Sequence, residues 1–152
     1  MPETQKIAIG SQVPDFDLES FSQEGGARRI SSNELKGKPY ILAFYPKDDT
    51  PGCTKEMCAF RDDFASFKAS GILVYGVSKD SIKSHEKFSN KYEFGSLTLL
   101  SDSLGALSES LGIGEEFPKR TLFAIGKDGK IKYIHEGMPK NAELIELLEK
   151  LL

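Results

Sequence analysis

The sequence has little of what marks several functional classes. It contains two cysteines and two histidines in 152 residues, and two cysteines do not make a disulfide scaffold. A formal net charge of −3 gives no sign of a nucleic-acid partner. No apolar run approaches a membrane span, and residues 1–10 lack the apolar core of a signal peptide. We therefore expect a cytoplasmic protein with neither a membrane nor a nucleic-acid partner, whose thiols rest reduced.

The composition that is present is that of a globular protein. Hydrophobic residues make up 39% of the chain and charged residues 28%. A chain of 152 residues is long enough for one domain with a substantial core, and no repeat or linker divides it. We expect residues 1–152 to form a single domain.

Apolar runs that alternate with amphipathic segments predict strands and helices in turn. The continuous apolar run at residues 39–45 is typical of a strand covered on both faces. The other predicted strands lie at residues 28–30, 72–77, 97–100, 121–125 and 131–135, the last after a hairpin turn. The predicted helices lie at residues 51–69, after a cap at Asp80, at 104–111 and after a cap at Asn141. This order predicts an α/β fold in which helices are layered on a sheet.

The most informative stretch runs from Tyr45 to Cys58, between the buried strand and the long helix. Thr50-Pro51 is a common helix start, because threonine caps free N–H groups and proline at the first helical position sacrifices no hydrogen bond. With Thr50 as the N-cap, Cys53 is the third helical residue. There it meets free N–H donors and the positive end of the helix dipole, and both favour a thiolate.

The phase of this helix directs Cys53 into the fold. At about 100° per residue, four apolar residues lie within about 40° of its direction: Met57, Phe60, Phe64 and Phe67. Cys58 faces about 140° away from Cys53. The simpler interpretation of Cys53 is a small buried residue on a core helix. The cap, the Pro-Gly turn and the second nearby cysteine favour a reactive thiol instead.

The spacing of the two cysteines limits how they can react with each other. Cys53 and Cys58 are not the C-x-x-C pair of a dithiol oxidoreductase. On an intact helix their Cα atoms lie about 8–9 Å apart, whereas a disulfide requires roughly 7 Å or less. Either the two thiols never bond, or the helix must partly unwind to let them.

Metal binding and hydrolysis are alternative uses of these thiols. The possible zinc ligands are Cys53, Cys58, His85 and His135, whose spacing matches no common zinc-finger pattern. A Cys–His hydrolase would need one of the histidines beside Cys53. His85 falls on the apolar stripe of its helix, which favours a half-buried structural role. His135 lies near a strand end, and we expect it to be exposed.

The stretch Pro46-x-x-x-Thr50-x-x-Cys53 resembles the active-site signature of peroxiredoxins. The residues that follow, 54–61, are similar to the branch called bacterioferritin comigratory protein or peroxiredoxin Q. Further similar segments follow in order at residues 76–78, 80–88, 99–102 and 120–123. The resemblance extends from about Gly10 to the C-terminus. It implies a thioredoxin-like fold, with a central mixed β-sheet flanked by helices on both faces.

The resemblance also implies an antioxidant thiol-dependent peroxidase that reduces hydrogen peroxide and organic hydroperoxides. Cys53 would attack the peroxide and become a sulfenic acid, and Cys58 would resolve it as an intramolecular disulfide. Thr50, Arg120 and the Cys53 N–H would donate hydrogen bonds to the peroxide oxygens. Pro46 would shield the thiolate from bulk water.

Arg120 has a neighbouring cation, Lys119, and the segment before it, residues 112–119, is shorter than in many relatives. The resemblance implies thioredoxin or a glutaredoxin as the reductant and requires no metal or prosthetic group. We expect a monomer. Two rival functions are a thiol-disulfide oxidoreductase on the same fold and a non-catalytic binding or chaperone module with structural cysteines. Peroxide consumption with a thiol reductant distinguishes all three.

Overall fold

The chain alternates strands with helices along most of its length. The computed structural model describes residues 7–114 and 116–152. Their strands are β1 Asp17–Ser22, β2 Gly26–Ser31, β3 Tyr40–Phe44, β4 Leu73–Ser78, β5 Thr98–Ser101, β6 Thr121–Ile125 and β7 Ile131–Glu136. Their helices are α1 Pro51–Ala69, α2 Ile82–Tyr92, α3 Ala106–Ser110 and α4 Asn141–Leu151. β2 to β7 and the four helices follow in the predicted order, and β1 is an additional strand that precedes them.

The strands join in one mixed sheet with the order β2-β1-β5-β4-β3-β6-β7. β4 pairs in parallel with β3 and β5, and the remaining pairs are antiparallel. All five residues of β3 are buried, as expected of a strand covered on both faces. The carboxyl end of β3 leads through a loop, residues 45–50, into α1. We call residues 45–50 the active-site loop.

Alternate residues of the central strands contribute to two separate cores. Ile41 and Ala43 of β3 pack with side chains of α1, α2 and α4, whereas Tyr40, Leu42 and Phe44 pack on the side of α3. The two-residue period of a strand produces this division. Helices therefore cover both faces of the sheet, as predicted. None of the helices in the described part of the chain is long and apolar enough to cross a membrane.

α1 forms over the predicted residues, Pro51–Ala69. Its inward stripe contains four residues that are each at most 1% exposed: Cys53, Met57, Phe60 and Phe67. Phe64, predicted on the same stripe, is only partly buried and packs at the edge of this core. Gly71 follows the helix with φ of 76°, a left-handed conformation that glycine adopts without steric cost.

Two other helix starts differ from the prediction by one residue. Ser81, rather than Asp80, is the N-cap of α2, and its side chain accepts a hydrogen bond from the Ser84 N–H. α4 begins at Asn141 itself, whose side-chain amide donates to Asp63 of α1 at 3.0 Å. In both cases the predicted capping side chain has a tertiary partner, and that partner takes precedence over the local cap.

Candidate active site

Cys53 lies in the first turn of α1, next to the carboxyl end of β3. Its side chain is 1% exposed. The Thr54 N–H donates to the Thr50 carbonyl at 2.8 Å, so the N–H groups of Gly52 and Cys53 precede the hydrogen-bonded ladder of the helix. The sulfur therefore lies at the positive end of the helix dipole.

Arg120, the residue before β6, brings a cation to this thiol. Its Nη2 donates a hydrogen bond to Cys53 Sγ at 3.3 Å, and its Nη1 donates to Glu56 Oε1 at 2.6 Å. Burial acts to lower the pKa of Arg120, but the hydrogen bonds that it donates to Cys53 and Glu56 outweigh burial and raise the pKa above its ordinary value. The guanidinium thus stays charged beside the sulfur.

Glu56 is a part of the site that the sequence analysis missed. It lies one turn after Cys53 on α1 and is 2% exposed. Burial raises the pKa of the Glu56 carboxyl to about 7, although the Arg120 hydrogen bond and charge act in the opposite direction. The sequence did contain a feature that could have identified Glu56: it is an acidic residue three positions after Cys53, within about 60° of the apolar stripe. A buried carboxyl needs a partner, and Arg120 supplies it.

Gly52 makes room for the guanidinium. A Cβ atom built on Gly52 would lie 3.0 Å from Arg120 Nη2, closer than carbon and nitrogen pack without displacement. The Pro-Gly turn noted in the sequence therefore has a use beyond starting the helix. It lets the arginine lie against the backbone of the first turn.

Thr50 and Pro46 lie in the active-site loop, but Thr50 does not cap α1 through its side chain. Thr50 has the extended backbone of an N-cap residue, yet its hydroxyl donates to the Lys47 carbonyl at 2.8 Å. The predicted cap is wrong because the hydroxyl closes the loop instead of the helix end. Pro46 is partly buried, at the start of the same loop.

Cys58 lies five residues after Cys53 on the continuous helix α1, and both cysteines are free thiols. Cys58 is partly buried against the core that contains α1. Burial raises the pKa of the Cys58 thiol, Asp62 raises it further, and Arg61 opposes the change. The second thiol therefore lies on a different side of the helix from the first, where burial favours its protonated form.

The two histidines make their hydrogen bonds with groups other than Cys53. His85 is fully buried, not half-buried as predicted, because both of its ring nitrogens have oxygen partners, in Asp48 and Leu100. His135 is partly buried rather than exposed, since its Nε2 lies 3.2 Å from the Met138 carbonyl. No group of three or more Cys, His, Asp or Glu among residues 7–114 and 116–152 could hold a metal ion.

Comparisons with known proteins agree on one family. The AhpC/TSA family matches residues 9–134. The putative peroxiredoxin bcp of Coxiella burnetii is 38% identical over 95% of this chain and 99% of its own length. The chloroplastic peroxiredoxin Q of Sedum lineare is 38% identical over 97% of this chain and 78% of its own. The crystal structure of a Xylella fastidiosa PrxQ mutant has a TM-score of 0.85 at 27% identity, over 96% of this chain and 98% of the other.

A thiol that lies at a helix N-terminus beside a guanidinium, on a mixed sheet, is in the setting expected of a reactive cysteine. The chain belongs to the AhpC/TSA family. Its relatives include bcp and Q peroxiredoxins, and its function is that of a thiol-dependent peroxidase in antioxidant defence. The likeness to PrxQ confirms the thioredoxin-like fold.

Proposed function

We propose that Cys53 is the peroxidatic cysteine of this enzyme. The observation that supports it most strongly is the 3.3 Å contact between Arg120 Nη2 and Cys53 Sγ at the start of α1. The thiolate attacks the terminal oxygen of a hydroperoxide. An S–O bond forms, the O–O bond breaks, and the leaving oxygen takes up a proton to give water or an alcohol. Cys53 becomes a sulfenic acid.

Thiolate formation accounts for only a small part of the rate. An ordinary cysteine is a few per cent thiolate at neutral pH, so full ionisation gains about thirtyfold, or about 2 kcal/mol. A less basic thiolate is also a weaker nucleophile. The remaining acceleration has to come from stabilising the charge that moves onto the peroxide oxygens. We assign this role to the Arg120 guanidinium and the Cys53 N–H.

Thr50 and Pro46 complete the proposed peroxide pocket. Because the Thr50 hydroxyl donates its proton to the Lys47 carbonyl, its oxygen is oriented as an acceptor. We therefore propose that Thr50 accepts a hydrogen bond from the protonated peroxide oxygen, rather than donating one as the sequence suggested. Pro46, partly buried beside it, would shield the thiolate from bulk water.

We propose that Glu56 holds Arg120 in place. A 2.6 Å bond joins Glu56 Oε1 to Arg120 Nη1, which leaves the Nη2 side of the fork directed at Cys53. An arginine that is bonded at one end loses less freedom when it binds a second group. Glu56 is therefore a positioning residue, which acts through Arg120.

Cys58 is the proposed resolving cysteine. Its thiol attacks the Cys53 sulfenic acid, so that an S–S bond forms, the S–O bond breaks and water leaves. On intact α1 the two Cα atoms are about 8–9 Å apart, too far for a disulfide. The first turns of α1 must therefore unwind before Cys53 and Cys58 can bond.

A hydroperoxide substrate and a thiol reductant follow from the family. We propose a dithiol protein, thioredoxin or a glutaredoxin, as the reductant of the Cys53–Cys58 disulfide. We further propose a monomer that works in the cytoplasm. One sheet with a core on each face supports the expected single domain.

Intact mass after one equivalent of hydrogen peroxide tests these assignments. The wild type should lose two hydrogens, Cys58→Ser should gain one oxygen, and Cys53→Ser should stay unchanged. Cys53→Ser should also consume no peroxide while it keeps its circular dichroism spectrum. Wild-type turnover in Cys53→Ser would contradict the role of Cys53. A sulfenic acid without a disulfide in the wild type would make Cys58 a bystander.

A further inference from the structure

A buried polar cluster joins the active-site loop to α2. Asp48, in the loop, is 7% exposed, and His85, on α2, is fully buried. His85 Nδ1 lies 2.7 Å from Asp48 Oδ2. The same carboxylate accepts hydrogen bonds from the Tyr45 hydroxyl at 2.6 Å and the Ser84 hydroxyl at 2.8 Å. The peroxide chemistry at Cys53 uses none of these groups directly.

Both ring nitrogens of His85 face oxygen atoms that accept hydrogen bonds. Nε2 lies 2.9 Å from the Leu100 carbonyl of β5, and a carbonyl can only accept, so Nε2 carries a proton. Nδ1 faces Asp48, whose other partners are two hydroxyl donors. Burial and the Asp48 charge raise the pKa of Tyr45 well above its ordinary value, so its phenol remains a donor. This arrangement offers an acceptor to each ring nitrogen, so an imidazolium could donate at both ends.

The cluster also fixes the backbone of the active-site loop. The Asp48 N–H donates to Asp80 Oδ2 at 2.8 Å. The next residue, Asp49, is left-handed with φ of 56°, a conformation that costs energy and persists where surrounding contacts impose it. Its carboxylate accepts hydrogen bonds from Lys91 Nζ and the Tyr92 hydroxyl at 2.8 and 2.7 Å. Both ends of α2 therefore contact the loop, the first turn at Asp48 and the last turn at Asp49.

We propose that Asp48 and a doubly protonated His85 are positioning residues for the peroxidase reaction. They lock the active-site loop in the conformation that presents Pro46 and Thr50 to the peroxide. Removing one partner leaves the other buried without its counter-charge, and the loop then relaxes. The inference rests on the proposed role of Cys53, because the loop acts by placing the peroxide against that thiol.

The first test separates peroxide positioning from thiolate formation. Reduced His85→Gln and Asp48→Asn are mixed with hydrogen peroxide, and Cys53 oxidation is followed by rapid quenching with an alkylating reagent and intact mass. We expect the second-order rate constant to fall by about ten- to a hundredfold, because displaced positioning groups reduce rates steeply. The thiolate fraction, read from ultraviolet absorbance, should stay at the wild-type level, since Arg120 and the start of α1 are untouched.

Two control variants test whether a general loss of stability, rather than loss of the Asp48–His85 contact, slows Cys53 oxidation. Ser89→Ala changes a fully buried side chain on α2 whose Oγ finds no hydrogen-bond partner among the described residues. Leu148→Ala removes core packing at the far end of the sheet, where Leu148 lies near Pro39 and Gly71. Both variants should oxidise at the wild-type rate at a temperature where circular dichroism shows a folded protein. A slow Leu148→Ala would show that general destabilisation explains the effect, and would overturn the inference.

The second test measures whether the pair acts as a unit. In the double variant Asp48→Asn/His85→Gln the rate should be no lower than in the slower single variant, because one contact is lost only once. Independent effects that multiply would contradict the proposal. In the wild type, ¹⁵N NMR of the histidine rings, assigned with His85→Gln, should show protons on both nitrogens of His85. An unprotonated Nδ1 would overturn the ion pair even if every variant failed to fold.

Different results would contradict the positioning role of His85 and the peroxidatic role of Cys53. If peroxide left Cys53 unmodified in the wild type, the peroxidatic role itself would be wrong. If Cys53 were oxidised at the same rate in the wild type and in folded His85→Gln, only the positioning role would be wrong.

Discussion

The two ends of α1 are built in opposite ways. At the C-terminal end, Gly71 N–H donates to the Lys68 carbonyl and Ile72 N–H to the Phe67 carbonyl, each at 2.9 Å. These are the two hydrogen bonds of a Schellman motif, which close the helix. At the N-terminal end, the Thr50 hydroxyl donates to the loop instead. The hydrogen bonds of the helix are thus closed at the C-terminal end, and free N–H groups are left at the N-terminal end, where Cys53 lies.

The two ends of α1 also differ in the interactions that oppose local unfolding. The N-terminal half of α1 buries a carboxyl at Glu56 and depends on Arg120 to balance it, and a buried ion pair contributes little net stability. The C-terminal half packs Phe67 against Phe60 with ring centroids 5.7 Å apart. We infer that the open end of α1 unfolds locally at lower cost than the closed end. The predictions below test this contrast.

Disulfide formation should unfold only the open end, and this is the largest expected effect. Peroxide should speed amide hydrogen exchange across residues 51–58 by orders of magnitude, because the Cys53–Cys58 bond is incompatible with a helix there. Residues 64–71 should keep their protection. A reductant should reverse the change, and Cys58→Ser should not show it. A crystal structure of the disulfide form with residues 51–58 still fully helical would refute this account.

Arg120→Met should slow Cys53 oxidation by about a hundredfold or more, because it removes a preorganised donor and the cation beside the sulfur. The thiolate fraction of Cys53 at neutral pH should also fall. Lys119→Met is the matched control, since it removes the adjacent cation, which is exposed, and should change the rate little. If Lys119→Met were the slower variant, the assignment of the pocket cation would be wrong by one residue.

Glu56 should make stability fall as pH rises. Its pKa is about 7 in the folded protein, against 4.5 for the ordinary side chain. Below about pH 4.5 the Glu56 carboxyl is protonated in both the folded and the unfolded state. Between the two pKa values the unfolded chain loses this proton and the folded protein keeps it, so the free energy of unfolding falls as pH rises. Above about pH 7 the effect is complete, on the order of 3 kcal/mol.

Glu56→Gln isolates this effect. Urea midpoints at about pH 5 and about pH 8 should differ less in the variant than in the wild type, with the variant gaining relative stability at the higher pH. Equal pH dependence in both proteins would mean that Arg120 holds Glu56 ionised throughout. The variant should also oxidise Cys53 more slowly, since a neutral amide oxygen holds Arg120 less tightly than a carboxylate does.

The sequence predicted what is determined locally. The bounds of α1 and the inward direction of Cys53 depend on helical phase and on the Thr50-Pro51 start, all within one segment. The strands followed from apolar runs, and β6 matches its predicted residues. Arg120 lies 67 residues from Cys53 along the chain, and only the family resemblance connected them.

What the sequence could not predict depends on tertiary partners. Glu56 is buried because Arg120 arrives from another element, and His85 is fully buried because Asp48 and Leu100 satisfy both nitrogens. The cap predicted at Asn141 failed for the same reason, since its amide found Asp63. Capping rules describe what a side chain does when no long-range partner competes for it.

The smallest predicted effects concern the two glycines beside the ends of α1, and they should be opposite in kind. Gly71→Ala forces a left-handed backbone onto a residue that avoids it, which should destabilise the protein by about 1 kcal/mol. The added Cβ meets nothing within 4 Å, so peroxide reduction should be unaffected.

Gly52→Ala should leave the protein as stable as the wild type or slightly more so, because alanine favours a helix over glycine by up to about 1 kcal/mol. Its Cβ would lie 3.0 Å from Arg120 Nη2, so the guanidinium must move away from Cys53, and the rate constant for peroxide should fall severalfold. Urea midpoints and rapid-quench rates for both variants measure the contrast. If Gly52→Ala lowered the urea midpoint and left the rate constant unchanged, Gly52 would contribute to stability, as Gly71 does, and not to the position of Arg120.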